Sequence, residues 1–314
     1  MSDVTVPKPD VVKAGGPQRD LSSRDFTVKR RSQSSLVLRR FLQHRLAVIS
    51  LVVFLLLVLL SLFAETWWQY TSTTITDDLS EGPSLKHPMG TDSTGHDLLA
   101  KVLAGARVSV LVALLVAVLS TAFGTVFGAL SGFYGGRTDT IMMRFVDLIL
   151  TVPSLAILIT LGATIAGGGG DPIVIALILA SLSWLQIARI IRGLFLSLRE
   201  KEYVEAARCL GASNRRIIFR HLLPNAVGPI IVNATIVVAV AILAETALSF
   251  LGFGIKFPST SLGLLVAEGQ SAASTRPWLF YFPGLVIVFI ALTINFVGDG
   301  LRDALDPQQN RVRA

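Results

Sequence analysis

The 314-residue chain is poor in the groups that soluble catalysts and stapled domains rely on. Its single cysteine, Cys209, excludes an internal disulfide and a thiolate metal cluster. Charged residues make up 16% of it, where a water-soluble domain carries about a quarter. The GxxxxGK[ST] phosphate loop is missing, so no nucleotide or other cofactor is expected on this chain. There is also no nucleophile elbow, catalytic triad or paired-carboxylate arrangement, and an enzyme in its own right is not expected. Asp92, His96 and Asp97 lack a further ligand nearby, and His44, His87 and His221 are scattered, so no metal site is expected. The net charge of +7 does not point to nucleic acid, because the cations flank apolar blocks and no basic groove with interleaved aromatics occurs.

What the chain does have is grease in long runs. It is 52% hydrophobic, and a run of about 20 apolar residues crosses a bilayer. Six spans are expected: 46–64, 106–134, 139–164, from Ile173 past Trp184, 228–251 and 281–300. Pro153 should interrupt the third. The polar stretch before the first span is longer than a signal peptide's basic leader, so that span reads as a retained anchor. Residues 1–35 read as a disordered basic tail and 308–314 as a short polar one. Arg39, Arg40 and Arg45 serve there as a topology signal and as contacts for anionic lipid. The glycine run at 167–171 reads as a flexible hairpin. Basic residues crowd alternate connections, including 135–144, 189–221 and both ends, which predicts cytoplasmic termini and outward loops at 65–100 and 252–280.

Three side-chain patterns stand out within this frame. Gly124, Gly128 and Gly132 recur every fourth residue and give the second span one bare face for close packing. Glu245, in the outer part of the fifth span, is expensive in lipid and should face a pathway or pair with another subunit. Asn233 and Asn295 line the same interface or glue helices together. Arg144 and Asp147 read as a local ion pair at i, i+3. Asp92, His96 and Asp97 read as caps that dock an outer amphipathic helix.

The third pattern is "EYVEAARCLGASNRRIIFRHLLPN", Glu202 to Asn225, a polar helix-turn-helix between spans. Tyr203, Ala206, Ala207 and Leu210 fall on one helical stripe, with Glu202, Glu205 and Arg208 largely opposite. Gly211 suits a left-handed C-terminal cap and Ser213 can cap a second helix, in which Arg215, Arg216 and Arg220 turn away from Ile218 and Leu222. Pro224 should stop that helix. Helices this short are marginal alone, so a partner must hold them: this chain's own bundle or a separate cytoplasmic subunit.

The segment resembles the EAA loop of ABC-importer permeases through Glu205-Ala206-Ala207, Gly211 and Leu223-Pro224. "HPMGTDSTGHDLL" (87–99), "GARVS" (105–109), "GGRTDTIMMRFVD" (135–147), "AILAETALSFLGFG" (241–254) and "NFVGDGLRDALDP" (295–307) are similar to the C-type subunit of the dipeptide/oligopeptide/nickel permeases. His96 stands where that family has arginine. The resemblance implies an all-α integral membrane protein with six transmembrane helices: one peripheral N-terminal helix and a five-helix type I importer core. It divides the chain into an anchor and outer loop (36–100) and a core (101–307) that carries the coupling loop (198–225). It further implies a bacterial inner membrane, a second homologous permease chain, two ATPase subunits or domains that bind ATP and Mg, an extracytoplasmic substrate-binding protein and a peptide substrate. Nickel or haem is the alternative cargo. A proton-coupled carrier using Glu245 and Asp147, or a membrane scaffold, is the alternative function.

Overall fold

The computed structural model describes residues 33–165, 167 and 170–305. The tails at 1–32 and 306–314, and most of the glycine run, lie outside them. Among the described residues the fold is all helix, with isolated bridges and no strand. Five helices are long and apolar enough to cross a membrane, and a sixth span forms if one bent pair is counted together. In chain order the spans are α2 (Arg45–Leu62), α4 (Leu98–Tyr134), the pair α5 (Gly136–Leu150) and α6 (Ser154–Thr164), α7 (Pro172–Arg199), α10 (Leu223–Phe250) and α12 (Trp278–Leu305). Shorter helices join them: α1 (Gln33–Gln43), α3 (Ala64–Trp67), α8 (Glu202–Cys209), α9 (Asn214–Ile217) and α11 (Leu262–Gln270).

The bare face of α4 fixes the centre of the bundle. A Cβ on Gly128 would sit 2.4 Å from the Ala188 carbonyl oxygen of α7, and one on Gly132 2.7 Å from that of Arg192. One on Gly124 would meet Ile187 Cβ at 2.8 Å. The two backbones therefore touch along this face, where dispersion, not the hydrophobic effect, drives helices together in lipid. By contrast α2 is peripheral, with only 17% of its apolar window buried. Its inner end is seated by Ala47 and Phe41 against Gly300 of α12.

Pro153 breaks the third span as its chemistry demands. It removes an N–H and keeps Val152 out of helical geometry, and the two halves bend by 78°. Four expectations need correction. The stretch from Gln33 is an amphipathic helix, α1, because Val37 and Phe41 find cover on α12. The second span starts at Leu98, so Asp97 caps that span itself, accepting from Ala100 N at 2.8 Å, and no separate outer helix intervenes. Pro224 does not stop a helix; it lies in the first turn of α10, preceded by a wide turn at Ile218–Leu222. Asn225 Nδ2 donates to the His221 carbonyl at 2.6 Å, so Asn214–Phe250 runs on as one apolar helix. Asp147 bonds not to Arg144 but to Arg189 of α7, which reaches it across the helix gap.

Gly128→Ala should lower the thermal stability of the purified chain by the equivalent of about 1–3 kcal/mol, through overpacking. Gly193→Ala, whose new methyl meets nothing within 4 Å, should stabilise by up to about 1 kcal/mol through helix propensity. Thermal unfolding in detergent compares them; equal effects would dismiss the α4–α7 contact as the cause.

Candidate functional site

The bundle end where α7 finishes is built on that helix. Its arginines reach across to neighbours: Arg192 grips Asp139 of α5, and Arg199 Nη1 donates to the Gly132 carbonyl at 3.1 Å. Ser131 adds a hydrogen bond to Asp139 at 2.5 Å. From this base the chain turns into α8. Val204 is buried with Phe195, Ile217 and Leu222 in one apolar cluster, and Ala207 is buried one turn further on. Arg208 lies over the Phe133 ring of α4, 5.9 Å from its centroid. Gly211 takes φ +77°, which a side chain would strain, and turns the chain back into α9. Ser213 accepts from Arg216 N at 3.4 Å to open that helix.

The stripe read from the sequence is thus divided. Ala207 is buried within this chain. Ala206 is exposed, as are Tyr203 at 40% and Leu210 at 88%. Glu205, Arg215 and Arg216 are exposed beside them. Phe219, 62% exposed, joins this surface, where it lines a recess with Ser213, Arg215 and Arg216. Helical spacing puts Ile218 and Leu222 inside and is silent on Phe219; the one available signal is an aromatic set between Arg216 and Arg220. An apolar ridge rimmed by arginines can do one thing well, which is to fill a groove on another polypeptide.

Glu245 requires correction as a pathway or inter-subunit residue. It is fully buried inside this chain. It accepts from Ser109 Oγ of α4 at 3.0 Å and from Ser249 Oγ at 2.7 Å. Ser109 Oγ in turn accepts from Leu262 N at 3.2 Å, and Ser249 Oγ from Ile255 N at the same distance. The carboxyl group therefore ties α4, α10 and the approach to α11 together near the C-terminal end of α10. Asp147, about half exposed, pairs with Arg189, and Glu245 is sealed inside the bundle. Asn233 Nδ2 donates to Pro229 O within its own helix at 2.8 Å, and Asn295 is exposed on α12.

A polar knot organises the loop between α3 and α4, and its histidine is no scattered residue. His87 is fully buried, with Nδ1 2.7 Å from Asp97 Oδ2 and Nε2 3.2 Å from Asp78 Oδ2. Asp97 Oδ1 accepts from Trp68 Nε1 at 3.0 Å, and Tyr70 stacks on the imidazole. Beside it, Asp92 closes the turn at Thr94 and bonds Lys101, the next helix's cation, at 3.1 Å. Burial pushes the Asp92 carboxyl up, but hydrogen bonds from Thr94 and the His96 N–H, with the charge of Lys101, outweigh it and hold it at about 2. His96 itself bonds Thr94 Oγ1 at 2.7 Å.

A family model described as the inner membrane component of binding-protein-dependent transport systems matches residues 124–311, more than half of the chain. The chain belongs to that permease family. Another model, the N-terminal transmembrane domain of oligopeptide transport permease C, matches residues 32–88 of the permease. Relatives named oligopeptide transport system permease protein OppC include one from Mycobacterium tuberculosis H37Rv, 44% identical over 283 residues, spanning 90% of this chain and 97% of the relative. Those from Bacillus subtilis 168 and Escherichia coli K12 are each 40% identical, over 86% of this chain and 88% and 89% of theirs. The permease is a multi-pass integral membrane component of a binding-protein-dependent transporter, and ATP hydrolysis falls to separate ATPase subunits.

Two outcomes follow from the outer network. Glu245→Leu should leave buried serine hydroxyls unpaired and cost about 1–3 kcal/mol, read as a lower unfolding temperature, whereas Glu245→Gln, which still accepts, keeps most of the stability. A lowered Asp92 pKa stabilises the fold fully above the ordinary value of about 4, and that contribution is lost as pH falls through about 2. Asp92→Asn should therefore flatten the fall in unfolding temperature over that window; an unchanged slope would remove Asp92 as its source.

Proposed function

We propose that this permease carries oligopeptides across a bacterial inner membrane, with Tyr203, Glu205, Ala206, Leu210, Gly211, Arg215 and Arg216 seated in a groove of a cytoplasmic ATPase. Ala207 and Val204 hold that ridge to the bundle. The observation that carries the reading is Leu210, an apolar side chain left 88% exposed on the turn between α8 and α9. The oligopeptide cargo rests on the names of the relatives, which span nearly the whole chain. A second permease chain would cover the exposed rows Ile236, Val240 and Leu243 of α10 and Leu285, Val288 and Leu292 of α12. Asn233 and Asn295 belong to these open faces and are assigned to the translocation path or the subunit interface. An extracytoplasmic binding protein would deliver peptide to the side that holds the His87 knot. ATP and Mg act on the two ATPases, whose closure moves the coupling turn and with it α7 and α10.

Both termini and the coupling turn are assigned to the cytoplasm, on the charge bias of the connections. The lone cysteine tests this directly, since Cys209 is exposed on α8. A membrane-impermeant thiol reagent should label inside-out vesicles and leave intact cells' outer surface unlabelled; labelling from outside reverses the topology. Leu210→Glu should cut ATP-driven peptide uptake by about tenfold or more, as hot-spot residues at interface centres do, while the chain's unfolding temperature stays put. Unchanged uptake in membranes with normal amounts of the variant would refute the docking role.

A further inference from the structure

The seam between α2–α3 and the outer part of α4 encloses a cavity of about 360 Å³ that the transport reading leaves unused. Glu65 lines it from α3 and Arg107 from α4. Both are exposed, and among the described residues neither has an ion-pair or hydrogen-bond partner. Ser72 and Thr71 of the outer loop close the top. The wall below is apolar, with Leu62 of α2 and Leu111 of α4 each about half exposed on membrane-spanning helices.

Depth sharpens the meaning of these two charges. Arg107 lies ten residues past Asp97, the cap of α4, or about 15 Å along the axis. α2 ends at the same level, at Leu62, with Trp67 exposed just beyond it. Tryptophan at that position marks the layer where headgroups meet acyl chains. An arginine there is costly without a counter-charge, and Glu65, on the same cavity, makes no ion pair with it, so an anion from outside the chain can bind there. A cation and an anion on one cavity, above an apolar wall that faces the bilayer, match a ligand with a phosphate, an ammonium and acyl chains.

We propose that this cavity holds the headgroup of a phosphatidylethanolamine-type lipid, its phosphate on Arg107, its ammonium on Glu65 and its acyl chains along Leu62 and Leu111. A peptide offers the same two charges but has no use for a wall open to the bilayer. Such a lipid would fill the seam where the peripheral α2 meets α4.

The test uses the full-length chain in nanodiscs of phosphatidylglycerol with or without phosphatidylethanolamine, followed by native mass spectrometry and thermal unfolding. The wild type should retain phosphatidylethanolamine and unfold later in its presence. Arg107→Gln should weaken retention about tenfold, the equivalent of one charge-assisted hydrogen bond, and abolish the thermal shift. Glu65→Gln, which leaves the phosphate ligand in place, should bind both headgroups alike. The proposal fails if folded Arg107→Gln retains the lipid as the wild type does, or if Glu65→Gln keeps the ethanolamine preference. It also fails if a photo-crosslinker at Leu111 captures a second permease chain or a peptide in place of lipid.

Discussion

Everything in this molecule is arranged around the contact between the backbones of α4 and α7. Lipid offers helices no hydrophobic reward for meeting, so closeness itself must supply the attraction. The glycines at 124, 128 and 132 leave out side chains that would push the two helices apart. Once α4 and α7 are joined, the remaining spans have a fixed surface to lean on. The bent third span lies against α7 through Met143 and Val146, and α10 closes the far side of α4.

The same contact carries the inner end of the molecule. Arg192 and Arg199 lock the last turns of α7 to α4 and α5 just where the helices leave the apolar zone. α8 then follows directly, held by Val204 in the apolar cluster and by Arg208 over Phe133. The apolar ridge is therefore no loose loop. Buried contacts join its turn to the paired helices at the centre of the bundle.

Much of this was legible in the residues, and the failures have physical causes. The spans were readable because their length is set by the bilayer, and the bend at Pro153 because proline cannot donate. The glycine face was readable because helical spacing alone places it. Pro224 misled, because a proline in the first turn of a helix and one that ends a helix look alike until the preceding wide turn is seen. Glu245 misled for another reason. Its cost in lipid is real, but the serines that relieve it come from residues 109 and 249, and one of these is distant in the chain. Likewise His87 gains meaning only when Asp78 and Asp97 fold around it. Long-range polar partnerships leave no periodic trace, whereas helix faces do.

The uninterrupted run from Asn214 to Phe250 makes one rod of the inner turn and the outer serine cluster. Thirty-seven residues give it a length of about 55 Å. With Glu245 bolted to Ser109 near one tip, such a rod behaves as a beam clamped at that end. Any tilt of the beam is then smallest at the clamp and largest at the Asn214 tip, beside the turn at Gly211.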